Sequence, residues 1–216
     1  MTMSARVVLA MLTMLFAGSA LAQTPDTVER KTGLRKLAGE RFITNLKYAT
    51  ADNFLHRDVY TPFGVSACYV HRDLHDKLER LAPILQDKRL KLVMFDCYRP
   101  IEVQREMWKL VPDTKYVANP ARGSLHNRGI AVDVGLADDE GRLLPFPTAF
   151  DAFDRKAWAS YVCKAAEKMQ CDNREMLKEL MQSVGIDGIS SEWWHFQLRN
   201  AKSYPIVPLT AKGNEK

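Results

Sequence analysis

Two short stretches of the chain bring together residue types that hydrolytic metal chemistry needs. The first is Ser124-Leu125-His126-Asn127-Arg128-Gly129-Ile130-Ala131-Val132-Asp133, and the second is Ser191-Glu192-Trp193-Trp194-His195-Phe196-Gln197-Leu198. Gly129 frees the backbone to turn, so His126 sits in a loop that feeds a strand. Within that strand, alternation places Ile130, Val132 and Val134 on one face and Asp133 on the other. A carboxylate at the centre of an apolar strand is costly to bury unless it is paired, and a metal ion would pair it. In the second stretch Trp194, Phe196 and Leu198 share one face, which leaves His195 free to point into the same cleft. Two imidazoles and one carboxylate leave a zinc ion with one net positive charge and an open fourth position, the pattern of a catalytic rather than a structural site. Glu192, where the chain enters the strand, is then placed to take a proton from a water of pKa near ~7. Each stretch alone has a plainer reading: strand histidines are usually hydrogen-bonded, and aromatic runs usually belong to cores. Their combination points to a metal.

The elements that must position these residues follow from periodicity. Phe42–Tyr48 reads as a strand, and His71–Gln86 as an amphipathic helix with Leu74, Leu78, Leu81 and Leu85 on one face. Leu90–Tyr98 reads as a strand that ends before Pro100, and Pro100 opens a helix to about Leu110. Ile130–Leu136 and Glu192–Leu198 are the strands of the two motifs. Two helices are expected between them, one from an Asp154 cap through Trp158, Tyr161, Val162 and Ala165, the other from about Asn173 through Val184. Helices and strands come in blocks, which predicts an α+β fold with a mainly antiparallel sheet flanked by helices and the zinc site in a central cleft. His71 and His75 lie four apart on a polar helix face and read as solvated.

The chain has 216 residues and 46% hydrophobic content, which suits one globular domain. Arg6, the apolar run Val7–Ala17 and Ala20-Leu21-Ala22 have the layout of a secretory leader cleaved before Gln23. Losing it removes Arg6 and takes the net charge from +5 to +4. That charge is scattered, with no basic run of the kind that binds nucleic acid. Export implies a periplasmic protein without stable membrane insertion, and it permits disulfides. The cysteines are Cys68, Cys97, Cys163 and Cys171, with no CxxC pair among them. A Cys163–Cys171 bridge is expected if a helix ends between them, because an unbroken helix would separate them by ~12 Å. Buried free thiols are the other reading.

These residues resemble the D-alanyl-D-alanine dipeptidases, a group of zinc D,D-peptidases. The family's S-x-H-x-x-G-x-A-x-D signature falls on Ser124 to Asp133, and its E-W-W-H signature on Glu192 to His195. Likenesses at Lys47-Tyr48-Ala49-Thr50, Asp52-Asn53-Phe54, Tyr98-Arg99-Pro100 and Phe150-Asp151 extend the match over about residues 41 to 205. The resemblance implies one zinc ion on His126, Asp133 and His195, and Glu192 as general base and acid. It also implies Arg99 as the group that stabilises the oxyanion, and Ser124 and Asp151 as substrate contacts, with Asp151 suited to an ammonium group. Leu125 departs from the second serine found in the vancomycin-resistance members. The implied substrate is the dipeptide D-Ala-D-Ala. A D,D-carboxypeptidase or endopeptidase acting on longer wall peptides is the nearest alternative, and a non-catalytic zinc-fold binding module a remoter one. The expected organisation is a signal peptide at 1–22, an N-terminal segment at 23–40, the peptidase domain at 41–205 and a tail at 206–216.

Overall fold

The computed structural model describes residues 26–209, so the expected leader at 1–22 and the tail beyond 209 lie outside it. In chain order the main elements are α1 (Thr27–Thr32), β1 (Arg35–Lys36), β2 (Phe42–Thr44), β3 (Tyr69–Val70), α2 (Arg72–Asp87), β4 (Leu90–Asp96), α3 (Ile101–Leu110), β5 (Ala131–Asp138), α4 (Lys168–Ser183), β6 (Asp187–Gly188) and β7 (His195–Gln197). Five strands form one sheet in the order β2-β4-β5-β7-β6. Only the β2–β4 pair is parallel, and the other three pairs are antiparallel, as the blockwise pattern predicts. A separate two-stranded ribbon pairs β1 with β3.

The central strands β4 and β5 are buried almost throughout, including Asp96 and Asp133, the acids that interrupt their apolar sequences. Helix α2 covers the sheet with Leu74, Leu78, Leu81 and Leu85, all fully buried. Each such leucine stabilises the fold by roughly 1.5–3 kcal/mol. Packing also extends past both expected domain limits. Val28, Leu34 and Leu37 join the core from the N-terminal side, and at the other end the Val207 N–H donates to the Asn127 carbonyl at 2.9 Å. Residues 206–209, the first part of the expected tail, are therefore seated on the body.

Four expectations need correction. The helix expected from Asp154 to Ala165 is only a 3-10 turn, Arg155–Ala157, capped by Asp154, followed by irregular chain and a second such turn at Ala165–Glu167. Its apolar residues form no stripe: Val162 is 84% exposed. Arg174 also takes the Trp158 and Tyr161 carbonyls as acceptors, and the Trp158 carbonyl otherwise closes only a single turn with the Tyr161 N–H. The next helix starts at Lys168 rather than near Asn173. The strands at Phe42 and Glu192 are shorter than expected, with three residues each. His71 is not merely solvated, since its Nδ1 accepts from the Asp73 N–H at 3.1 Å and caps α2.

Both cysteine pairs are disulfides, Cys68–Cys97 and Cys163–Cys171. The second is the bridge expected from a break before the helix, because Cys163 precedes α4 and Cys171 lies in its first turn.

Candidate active site

The antiparallel register sets Asp133 of β5 directly opposite His195 of β7. Side chains opposed in this way lie on one face of the sheet within reach of each other. His126 comes to the same place on a 3-10 turn, His126–Arg128, that ends at Gly129. Gly129 has φ +66°, and a Cβ there would lie 2.8 Å from Leu34 Cδ2 and 3.0 Å from the His71 nitrogen. Only glycine lets the turn close that tightly against the ribbon and α2.

The three side chains converge on one point. His126 Nε2 lies 3.2 Å from His195 Nδ1 and 3.4 Å from Asp133 Oδ1. His195 Nδ1 lies 3.0 Å from Asp133 Oδ1. Ligand atoms at 2.0–2.1 Å from a tetrahedral zinc stand about 3.3 Å apart, so this triangle has the edge length of a zinc site. Hydrogen bonding on the far side of each ring supports the same reading. His126 Nδ1 is 2.9 Å from the Cys97 carbonyl oxygen, which can only accept. His195 Nε2 is 3.0 Å from Gln197 Oε1. With those two nitrogens donating outward, the inner nitrogens present lone pairs to a carboxylate oxygen. Three electron pairs facing one another at this distance need a cation between them. Among the described residues this is the one group of three or more histidine, cysteine or acidic side chains close enough to hold a metal. The residues fit zinc in number, type and spacing.

The electrostatics agree. Burial opposes ionisation of Asp133, but His126 and His195 outweigh it and hold the carboxyl well below the usual range. Burial also disfavours a charged His126, and Asp133 and Asp96 overcome it and raise the imidazole above its ordinary value. A proton and a metal ion thus compete for the same lone pair.

Glu192 lies beside this triangle, with Oε2 3.8 Å from His195 Nδ1. Burial and the charge of Asp133 raise its carboxyl above the ordinary glutamate value, the direction that makes a carboxylate a better proton acceptor near neutral pH. It lines a cavity of about 380 Å³ together with Lys115, Phe153, Trp158 and Trp194.

Arg99 follows the end of β4. Its Nε and one terminal nitrogen donate to Asp96 Oδ2 at 3.1 and 2.5 Å, and the other terminal nitrogen donates to Gln104 Oε1 at 3.0 Å. The guanidinium sits 5.0 Å from the centre of the Tyr48 ring. Three of its five N–H groups are thereby used, and one on each terminal nitrogen is left over. Asp151 has φ +58° and accepts from the Tyr48 hydroxyl at 2.8 Å. Burial pushes its carboxyl up to about 8, against the Tyr48 hydrogen bond. Ser124 has a local task, its Oγ accepting from the His126 N–H at 3.3 Å.

Several residues that shape this site carried no sequence signal of their own. Asp96 is fully buried, accepts from Tyr60, Arg99 and the Cys97 N–H, and lies 3.5 Å from His126 Nδ1. Its position as the one acid closing an apolar strand could have marked it. Gln197 shares a strand face with His195, which was legible, but its acceptor role was not.

The family model for D-Ala-D-Ala dipeptidases of peptidase group M15 matches residues 35–208. The chain belongs to the D-alanyl-D-alanine dipeptidase family. This dipeptidase-family chain is 38% identical over 164 residues to the D-alanyl-D-alanine dipeptidase of Escherichia coli strain K12, covering 75% of the chain and 81% of that relative. The D-alanyl-D-alanine dipeptidase of Enterococcus faecium is 29% identical over 181 residues, covering 74% and 86%. Among solved structures, a variant of the vancomycin resistance D,D-pentapeptidase VanY in complex with Zn(II) aligns with 63% of this chain and 76% of its own. The identity is 15% and the TM-score 0.40, a likeness too slight to bear on the site. Family membership makes the chain a metallopeptidase, as its motifs imply.

Proposed function

We propose that this chain hydrolyses D-alanyl-D-alanine to free D-alanine with one zinc ion held by His126, Asp133 and His195. The observation that carries the proposal is the triangle of inward-facing donor atoms, 3.0–3.4 Å on each side, with both outer imidazole nitrogens engaged by acceptors. Zinc, when bound, supplies the Lewis acidity that brings a water towards a pKa of ~7 and polarises a carbonyl oxygen. Glu192 takes the proton from the attacking water and returns it to the nitrogen of the breaking peptide bond. Arg99 directs its unused N–H groups to the charge growing on the carbonyl oxygen. Asp151, backed by Tyr48, receives the substrate ammonium, and Ser124 lines the approach beside His126.

Product analysis tests this directly. Zinc-loaded protein should release D-alanine from D-Ala-D-Ala, and chelator-treated protein should not. A pentapeptide ending in D-Ala-D-Ala cleaved as fast as the dipeptide would overturn the dipeptide assignment in favour of a carboxypeptidase. A second cavity, of about 620 Å³, adjoins Asp151 between the loops at 51–56 and 143–152, and it is the feature that keeps the longer substrates in view.

Asp151→Asn should raise KM about 10- to 100-fold, since a hydrogen bond to a charged group contributes about 1.5–3 kcal/mol. Below its raised pKa the carboxyl is protonated and cannot pair with an ammonium. The KM of the unaltered enzyme should therefore fall as pH rises towards about 8, and the asparagine variant should lack that dependence. Initial rates across pH 6–9 would check both points; an unchanged KM would remove Asp151 from substrate binding.

A periplasmic location completes the proposal. It is supported by the leader pattern at 1–22 and by two disulfides. No helix among the described residues is long and apolar enough to cross a membrane. In that compartment the substrate would be dipeptide released from the wall.

A further inference from the structure

Asp96 to Arg99 forms a short tract at the end of the sheet, and its polar groups serve the candidate site at two points. The β4–β5 register shifts between Met94 and Asp96, and β4 itself ends at Asp96. After that the backbone is held by isolated bonds, from the Tyr98 N–H to the Tyr69 carbonyl, from the Arg99 N–H to the His126 carbonyl, and from the Asn127 side-chain amide to the Arg99 carbonyl at 2.7 Å. Yet the Asp96 carboxylate grips Arg99, the Cys97 carbonyl accepts from His126 Nδ1, and the Cys97 N–H donates to Asp96 Oδ1 at 2.8 Å. Rotation of the peptide groups about Cys97 would disturb the settings of His126 and Arg99 together.

A disulfide fixes that residue. Cys97 is joined to Cys68, whose own carbonyl accepts from the Leu37 N–H and which directly precedes β3. Both cysteines are buried, at 0% and 1% exposure, so the bridge is walled in by the core. The ribbon of β1 and β3 is thereby tied covalently to the backbone that orients a candidate ligand. The other bridge, Cys163–Cys171, is half-buried at the start of α4 and touches none of these groups.

We infer that the Cys68–Cys97 disulfide is a positioning element of the metal centre, holding the Cys97 carbonyl against His126 so that Nε2 faces the metal with its lone pair. The inference rests on the zinc site proposed above. A ligating imidazole is commonly oriented by an acceptor on its far nitrogen, and loss of such an acceptor weakens metal binding about 10- to 100-fold. Here the acceptor is main chain and cannot be deleted by substitution, which leaves the covalent tie as the part that can be removed.

The test is zinc affinity, measured by competition with a chromophoric chelator, in the full chain carrying Cys68→Ala and Cys97→Ala together. Removing both avoids a stray thiol that could bind zinc itself. The double variant should bind zinc about 10-fold or more weakly, with KM for D-Ala-D-Ala unchanged in the zinc-saturated enzyme. The Cys163→Ala and Cys171→Ala pair should match the unaltered protein in zinc affinity even where its melting temperature falls. Wild-type zinc affinity in the first variant, with only its melting temperature lowered, would reduce the bridge to a staple and overturn the inference. Should the alanine pair not fold, Cys68→Val with Cys97→Ala restores buried volume and is read by the same measurement. A wild-type protein that binds no zinc at all would instead remove the functional proposal, so the two failures are distinct.

Discussion

Exchanging Glu192 for glutamine should lower kcat for D-Ala-D-Ala by about 10²–10⁴-fold, the usual share of a general base, while zinc content stays at the wild-type level. Glutamine keeps the shape of the side chain and its place 3.8 Å from His195 Nδ1 but cannot take a proton. The donor triangle does not include Glu192, so metal binding should survive. The acid side of the pH profile offers a second reading of the same residue. Burial and Asp133 raise its carboxyl above the ordinary value, so kcat/KM should fall as pH drops through that raised pKa, earlier than an exposed glutamate would dictate. A glutamine variant with zinc bound and full hydrolytic rate would sink the mechanism.

Replacing Arg99 by alanine should produce two losses with separate readouts. Deleting a donor aimed at a developing oxyanion costs about 10²–10³-fold in kcat. Asp96 would also be left buried without its cation, and breaking such a pair costs roughly 3–5 kcal/mol of folding stability. The lower end applies here, because Tyr60 and the Cys97 N–H still donate to Asp96. Kinetics at saturating substrate and zinc would report the first loss, and the urea midpoint the second. Lysine at this position should recover little of either, since one ammonium cannot reproduce the fork that spans Asp96 and Gln104. A kcat within a few-fold of the wild type would leave Arg99 a purely structural role.

The cleft-facing side of Asp133 and of His195 was legible because strand alternation is a local rule; that the two strands pair with these residues opposed was not, and the family resemblance brought the two motifs together. His126 was legible through Gly129, whose left-handed backbone the turn requires. Asp96, Gln197 and the Cys97 carbonyl were not, because their roles depend on which segments lie beside them after folding. Nothing local to Cys97 says that its carbonyl will meet a ring 29 residues further along. The expected helix after Asp154 failed for a related reason. Its apolar residues suggested a period, but they share no buried face, with Val162 and Trp158 exposed, and a buried arginine from the following helix donates to two carbonyls of the irregular chain. The Cys163–Cys171 bridge was legible only as one of two readings, conditional on a break in helix between the cysteines, whereas Cys68–Cys97 ties the β1–β3 ribbon to the end of a strand in the other sheet, a proximity that only the whole fold creates.

The brevity of β7 bears on how long the molecule lasts. A strand of three residues, flanked on its outer side by the two of β6, resists peeling poorly. Asp133 and His195 face each other across the β5–β7 seam, so an ion held as proposed would rivet that seam through side chains. At a free concentration 100 times its dissociation constant, an ion adds ~2.7 kcal/mol to the state that binds it. That increment falls on the opening of the C-terminal hairpin more than on the β4–β5 centre. Scarcity of zinc would accordingly register first as amide exchange and proteolytic nicking around residues 187–198, ahead of any global melting. With zinc on the proposed site, the survival time of the chain would become a gauge of the metal supply around it.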